Sequence, residues 1–455
     1  MDLLKLERWL ARASHTVSQH FKKGARYLSG FFYFRDVNTN NIQFAEEHLF
    51  RNEFAKAVAH LSAKYGHNNL ELAEDAVQEA LIKAMQVWPY DGIPKNTTGW
   101  IVRVAQNKLL DQLRRNKKLA FPESLPDTQD DVIEFNDDLL KDDLVKMMFA
   151  CCNPTLSEEQ QVILTLKILC GLSIKEISSA LLKSEEAIAK AYTRAKKKFK
   201  EEKIDLKIPD VKVISSRINV VLKVIYLLFN EGYKSATHEQ LIRKALCQEA
   251  LRLNRILLEL EKTNSAYTRS LMALMCFHTA RLTTRIDAHG VPISLEFQNR
   301  SKWDRRLIEE GNFYLNTINH DQINEYFLQA AIISIHTNSR AYKDTSWSSI
   351  CALYQRLYNM KPNAMVGLNH VIALQKSAGA TTAKIHLNSL SKLYNYKKIT
   401  LYHAVLSELE IDLDNLNLAQ VHLSKAISLT KSESEKLFFT KKLAQLLDGN
   451  ASRKS

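Results

Sequence analysis

Glycine and proline are scarce, at 12 and 8 of 455 residues. The residues that most often interrupt regular structure are few, and long stretches are free to be helical. No sustained alternation of apolar and polar residues is present, so half-buried strands are not expected, whereas apolar residues recur at helical spacing almost throughout. No uninterrupted apolar run reaches the roughly 18 residues a spanning helix needs, so no transmembrane helix is expected. A signal peptide is not expected at residues 1–35 either, because Arg8, Arg12, Lys22 and Lys23 interrupt any hydrophobic segment. With Leu3, Leu6, Leu10 and Phe21 this stretch reads as an extra amphipathic helix. The six cysteines are scattered, with only Cys151 and Cys152 adjacent; there is no Cys-x-x-Cys pair and no His or Cys at zinc-finger spacing. A reduced, cytoplasmic protein without metal or other cofactor is expected.

What the chain has in excess is positive charge, 63 Lys and Arg against 50 Asp and Glu, a formal net charge of +13. That balance suits an anionic partner, most often nucleic acid, and equally a basic coat that serves solubility alone, so the placement of the charges has to decide. The length suggests two to four compact units, and five segments can be drawn: an extension over 1–40, a helical unit over 41–121, an acidic linker over 122–138, a second small helical unit over 139–204, and a large helical region over 205–455. Between Lys95 and Ala120 there are seven basic residues and one acidic; the linker is acidic; Lys196, Lys197, Lys198, Lys200 and Lys203 then close the second unit. Two basic patches joined by an acidic strap fit two separate DNA contacts held by a linker that avoids DNA.

In the helix expected over Thr98–Lys118, Ile101, Val104, Ala105 and Leu109 share one side, and Arg103, Asn107, Asp111, Arg114 and Lys118 form a stripe on the other. That stripe offers Arg and Lys to phosphates and Asn to base edges. In the preceding helix Ala73, Val77, Ala80, Leu81 and Ala84 make the apolar stripe, and Glu74, Asp75, Gln78 and Glu79 are placed outside it, an acidic face suited to a basic protein surface. The run AEDAVQEA followed by WPYDGIPKNTTGWIVRVAQNKLLDQLRR resembles region two of the extracytoplasmic-function (ECF) sigma factors. The resemblance implies that Asp75, Gln78 and Glu79 bind core RNA polymerase. It further implies that Trp100, Arg103, Asn107, Asp111, Arg114 and Arg115 belong to the helix that recognises and opens the promoter −10 element, with a flipped base held in the loop from Trp88 to Thr97. Tyr90 and Trp100 are the aromatic candidates for base stacking.

Downstream, Ser157 with Gln160 and Ser173 with Glu176 make capping boxes, Gly171 stops an apolar stripe, and Ser184 caps a basic helix from Glu185 to Lys200 after a turn at Leu182–Lys183. Two short helices, a tight turn and a basic second helix form a helix-turn-helix signature. The unit is similar to region four of ECF sigma factors, which reads the −35 element. By that resemblance the contact set is Lys183, Ser184, Glu186, Ala187, Lys190, Arg194 and Lys197, with Ile188, Ala191 and Ala195 facing inward. For most of Lys196–Lys200 non-specific phosphate attraction is the expectation. Related factors often carry His where this chain has Asn153, which argues against metal binding at Cys151–Cys152; the pair is read as small buried residues.

The last 250 residues or so exceed an ordinary ECF factor. With VVLKVIYLLFNEGY and the apolar helical stretches after it, this region resembles the ECF subgroup with a tetratricopeptide-like (TPR) C-terminal domain. The resemblance spans nearly all of residues 44–447, and FNEGY is its most specific part. Ser407, Ala419, Leu423 and Ala426 follow the small/large pattern of a TPR helix pair, with a degenerate neighbour over Gly367–Leu387. Asn230–Glu231–Gly232 is expected to cap a helix at Gly232. Arg281, Arg285, Asp287, His289 and Glu296 are read as Arg–Asp pairs that brace helix junctions, since no nucleophile–base spacing or phosphate loop accompanies them. The expected fold class is all-α: a region-two bundle, a region-four helix-turn-helix and a large TPR-like domain. The expected function is that of a non-catalytic alternative sigma factor, with core RNA polymerase, double-stranded promoter DNA and a protein bound at the C-terminal surface as partners, and no stable membrane insertion. A DNA-binding repressor and an RNA-binding TPR scaffold are the competing classes. Core-polymerase binding by the Asp75–Glu79 face separates the first, and exposed aromatic platforms would mark the second.

Overall fold

The computed structural model describes residues 39–118, 137–181, 183–208, 211–234, 244–287, 291–430 and 432–454. The expected N-terminal extension, most of the acidic linker, Leu182 and His289 lie outside them. Eighteen α-helices account for most of the described residues; the one β feature among them is an isolated bridge between Ile286 and Pro292. Two compact units result. One takes in the described residues up to Leu228 together with Arg255–Thr263; the other takes in Phe229–Asn254 and Asn264 onward.

In the first unit α1 (Thr39–Tyr65), α2 (Leu70–Asp91) and α3 (Thr97–Lys118) pack on one another, and α4 (Asp137–Cys151) packs on α1. The spacing of the apolar positions explains the packing: Ala73, Ala76, Val77, Ala80, Ala84 and Trp88 of α2 and Ile101, Val102, Ala105 and Leu109 of α3 are buried. Asn96 starts α3, its Oδ1 accepting the Gly99 N–H at 2.7 Å. Inside the unit, His60 of α1 is bonded through Nδ1 to Asp143 of α4 at 2.9 Å, with both side chains buried.

The helix-turn-helix follows. Helix α5 (Glu158–Leu164) opens with the expected capping box and passes into a π-turn over Thr165–Leu169. Gly171 then adopts φ +61°, where a Cβ would lie 3.2 Å from the Arg51 backbone and side chain, so both the conformation and the close approach require glycine. Helix α6 (Ile174–Leu181) carries the Ser173–Glu176 box: Ser173 N–H donates to Glu176 at 2.8 Å, and Glu176 N–H donates to Ser173 Oγ at 3.2 Å. The turn is closed by Ser178 Oγ donating to the Lys183 carbonyl at 2.6 Å. Helix α7 (Glu185–Glu201) is capped by Ser184, whose Oγ accepts the Ala187 N–H at 3.2 Å. Cys151 and Cys152 are buried as expected, and burial pushes the Cys152 thiol up to about 12.

Helix α8 (Val211–Lys234) corrects one expectation: Gly232 is a buried interior residue of the helix and does not cap it. Helix α9 (Lys244–Glu259) is divided between the units after Asn254, and the second unit continues with α10 (Ala266–Thr279), α11 (Arg305–Asn316), α12 (Glu325–Asn338), α13 (Trp347–Met360), α14 (Ala364–Ala378), α15 (Ala380–Leu390), α16 (Thr400–Asp412), α17 (Leu416–Leu429) and α18 (Glu433–Lys454). From α10 onward each helix packs on its sequence neighbour. Asp304, Asn324 and Asn363 each accept two backbone N–H bonds at a helix start, which fixes where the helices begin. Gly311 lets α11 lie directly against the Phe277 ring; a Cβ there would sit 2.8 Å from it. Ser407, Ala419, Leu423 and Ala426 are all buried, consistent with the close pairing of α16 and α17.

Candidate nucleic-acid interface

Helix α3 presents Arg103, Asn107, Asp111, Arg114 and Arg115 to solvent, opposite its buried apolar stripe. Asp111 lies 4.0 Å from Arg114, so the stripe is cationic but partly self-neutralised. The side chain of Lys118 lies outside the described residues. Trp100 is half-buried, its ring in edge contact with the buried Trp88 at 5.5 Å between centroids. Tyr90, in the last turn of α2, is 89% exposed, and Ile93 in the following loop is exposed as well.

Helix α7 buries Ile188, Ala191 and Ala195, as expected, and exposes Lys190, Arg194 and Lys197. Lys183 is held 2.5 Å from Glu159, Lys190 2.5 Å from Glu186, and Lys197 3.7 Å from Glu201. Lys183, Ser184, Glu186, Ala187, Lys190 and Arg194 join Glu159 in lining one shallow, open cleft of about 410 Å³. Six of the seven residues expected to read DNA therefore share one concavity; Lys197 is exposed one turn further along α7.

Two side chains depart from expectation. Glu74 was placed on the outer face of α2, yet it is 3% exposed. It accepts the Tyr192 hydroxyl at 2.7 Å and has Lys196 at 3.6 Å and Lys167 at 3.9 Å. Lys196, in the run for most of which phosphate attraction is the expectation, is committed to protein partners: its Nζ is 2.8 Å from Glu71 and lies over the Tyr192 ring. Hydrogen bonding to Lys196 and the charge of Lys196 hold the Glu71 carboxyl below its ordinary range. A third bridge joins Arg51 of α1 to Glu176 of α6 at 2.6 Å. Sequence periodicity missed these because α2 carries consecutive acids, Glu74 and Asp75, and only the partner surface decides which is covered. The ladder of acid, tyrosine and lysine at positions 71, 74, 192 and 196 was the available signal. Asp75, Gln78 and Glu79 are exposed, as expected, and Glu79 pairs with Lys108 of α3 at 2.6 Å.

No helix among the described residues is long and apolar enough to cross a membrane. The family Sigma-70 region 2 matches residues 51–119, and Sigma-70, region 4, matches residues 146–199. A family of unknown function, DUF6596, matches residues 217–319. The chain is 34% identical over 387 residues to an uncharacterized protein, R00370, of Rhizobium meliloti (strain 1021), covering 83% of this chain and 90% of that one. No solved structure matches. With an exposed cationic helix in each of the two matched sigma regions, the chain belongs to the sigma-70 family and is an alternative sigma factor that directs RNA polymerase to promoters.

Proposed function

We propose that this sigma factor is of the ECF type and works through three surfaces, with no catalysis of its own. Asp75, Gln78 and Glu79 dock on core RNA polymerase; they are solvent-facing and offset by a single lysine pairing, so a basic partner surface can replace Lys108 at little cost. Trp100, Arg103, Asn107, Asp111, Arg114 and Arg115 engage the −10 element, and the exposed Tyr90 offers a ring for an unstacked base. Lys183, Ser184, Glu186, Ala187, Lys190, Arg194 and Lys197 engage the −35 element. The observation that carries this reading is the shared cleft on α7, because a contiguous polar surface on one capped helix is what the major groove admits.

The working divisions are 41–121, 139–204 and 205–455, with the last acting as a TPR-like platform that binds a protein segment and regulates promoter activity in the cytoplasm. The buried small residues between α16 and α17 support that reading. The decisive experiment is in-vitro transcription with purified core RNA polymerase and sequencing of the start sites. Defined −10 and −35 preferences are expected, with loss of core binding in Asp75→Lys and Glu79→Lys. A protein that binds DNA but never the polymerase would be a repressor. Deletion of residues 205–455 should change promoter activity in a reporter assay, and no change would remove the regulatory role.

A further inference from the structure

The second unit contains a group of cations that, among the described residues, form no ion pair with a carboxylate. Arg281 is 7% exposed, and its Nε and Nη2 share one neutral acceptor, Gln298 Oε1, at 3.3 Å. Its guanidinium lies 5.6 Å from the centroid of the buried Trp303 ring, and that of Arg300 lies 4.7 Å from the same ring. Arg285 stacks on Tyr233 at 3.6 Å and donates from Nη1 to the Tyr233 carbonyl at 2.8 Å. Arg300 Nη1 donates to the carbonyls of His336 and Ser339, while its Nη2 is buried with no partner. Among the described residues none of the three guanidiniums forms an ion pair, so the expected Arg–Asp braces are not made by Arg281 or Arg285. Asp344 acts on Arg300 only at longer range, its carboxylate accepting the Ala341 N–H at 3.0 Å. Burial holds the Arg281 guanidinium below its ordinary pKa; Tyr233 opposes this, and Arg285 and Arg300 reinforce it. Burial, then Arg281 and Arg300, push His336 down to about 3.

Buried charges are ordinarily paired. Arg281 and Arg300 lie on a single indole, Arg281 feels the charge of both Arg285 and Arg300, and none of the three is in an ion pair among the described residues. We infer that Arg281, Arg285 and Arg300 form a binding site for a phosphate-type oxyanion, either free phosphate or the phosphate monoester of a small molecule. Guanidinium forks match phosphate oxygens two at a time, and three cations favour a group that can carry two negative charges. Tyr233 and Trp303 already fix the guanidinium planes, so little side-chain entropy remains to be lost on binding. The site is independent of the promoter-binding reading and stands or falls separately from it.

The test is calorimetric titration of the full chain with inorganic phosphate at constant ionic strength in chloride, with methyl phosphate as a second arm. Saturable one-to-one binding is expected, together with an upward displacement of the His336 titration followed by NMR, because a bound anion offsets the two cations that depress it. Arg285→Gln and Arg300→Gln should each weaken binding by about tenfold or more, and Arg300→Lys by less. Comparable affinity for both ligands assigns the site to phosphate itself, and tighter binding of the ester assigns it to an organic phosphate; either supports the inference. Absence of saturable heat up to about 10 mM phosphate overturns it, as does unchanged affinity in both Gln variants. Should those variants fail to fold, the wild-type titration decides alone: binding that leaves His336 unmoved places the anion elsewhere and overturns the assignment.

Discussion

Buried carboxylates are paired in both units, Glu249 with Arg252 and Glu410 with Lys384 in the C-terminal one, but a buried cation is treated differently. In the sigma unit the buried carboxylates have cations close by: Glu53 has Lys56, Asp143 has His60 and Lys146, and Glu74 has Lys167 and Lys196. In the C-terminal unit Arg281 is buried without a carboxylate and rests on an aromatic ring and an amide oxygen. The difference teaches what each set is for. A compensated buried pair holds elements together and is costly to break, though its net contribution is limited by desolvation. An uncompensated buried cation retains unspent attraction for an anion. The exposed cations of α7 are a third case, since their pairs within the helix are weak enough for phosphates to displace.

Acidification should separate the units most strongly. His336 and His370 are held at about 3 and about 4 by burial first, so in the fold they stay neutral where the unfolded chain, near 6.5, takes up protons. The C-terminal unit should therefore lose stability as pH falls below about 6.5, by up to roughly 1.4 kcal/mol per pH unit for each histidine. In the sigma unit burial opposes ionisation of Glu176, but the Ser173 N–H and the Arg51 guanidinium still hold its carboxyl below its ordinary 4.5, so the stability it contributes is lost only below about that pH. Pulse proteolysis with peptide mapping at pH 7, 5.5 and 4 checks the order; a sigma unit that opens first would break the comparison.

Next in size, Glu74→Ala should destabilise the sigma unit by about 3 kcal/mol, because it leaves Tyr192 and Lys196 facing a buried gap. Urea denaturation followed through Trp88 and Trp100 fluorescence measures it, and a shift near zero would show the pair to be dispensable. Arg194→Glu should weaken promoter binding by about 1–3 kcal/mol if a base contact is lost, or mainly flatten the salt dependence if the contact is to phosphate. Equal salt slopes and equal promoter preference would remove Arg194 from the interface. The smallest effect is expected for Glu186→Ala: stability should change by less than about 1 kcal/mol, since the pair with Lys190 is exposed, and DNA affinity should rise slightly, as read by fluorescence anisotropy.

Much of the fold was legible before the structure. Three capping boxes or caps, at Ser157, Ser173 and Ser184, fixed where helices of the second basic unit begin, because a side-chain oxygen three residues ahead of a free N–H is a local device. The inward faces of α3 and α7 followed from periodicity. Gly232 was misread because a glycine after a polar pair marks a helix end only when nothing downstream packs; here the helix runs on to Lys234. Lys196 was misread because a lysine in a basic run carries no mark of its partner.

The sequence by itself determined the all-α class, the helix starts, the exposed cationic faces and the acidic face at Asp75–Glu79, since each depends on spacing within a dozen residues. Only the tertiary structure decided which acid of α2 is covered, that Tyr192 and Lys196 turn toward it, and that Arg281 and Arg300 meet on one indole. Tyr192 and Lys196 stand 118 and 125 positions from Glu74 and Glu71, and Arg281 reaches the Trp303 ring from a different element, so the free energy of burying a charge is set by whatever those distant elements bring to it.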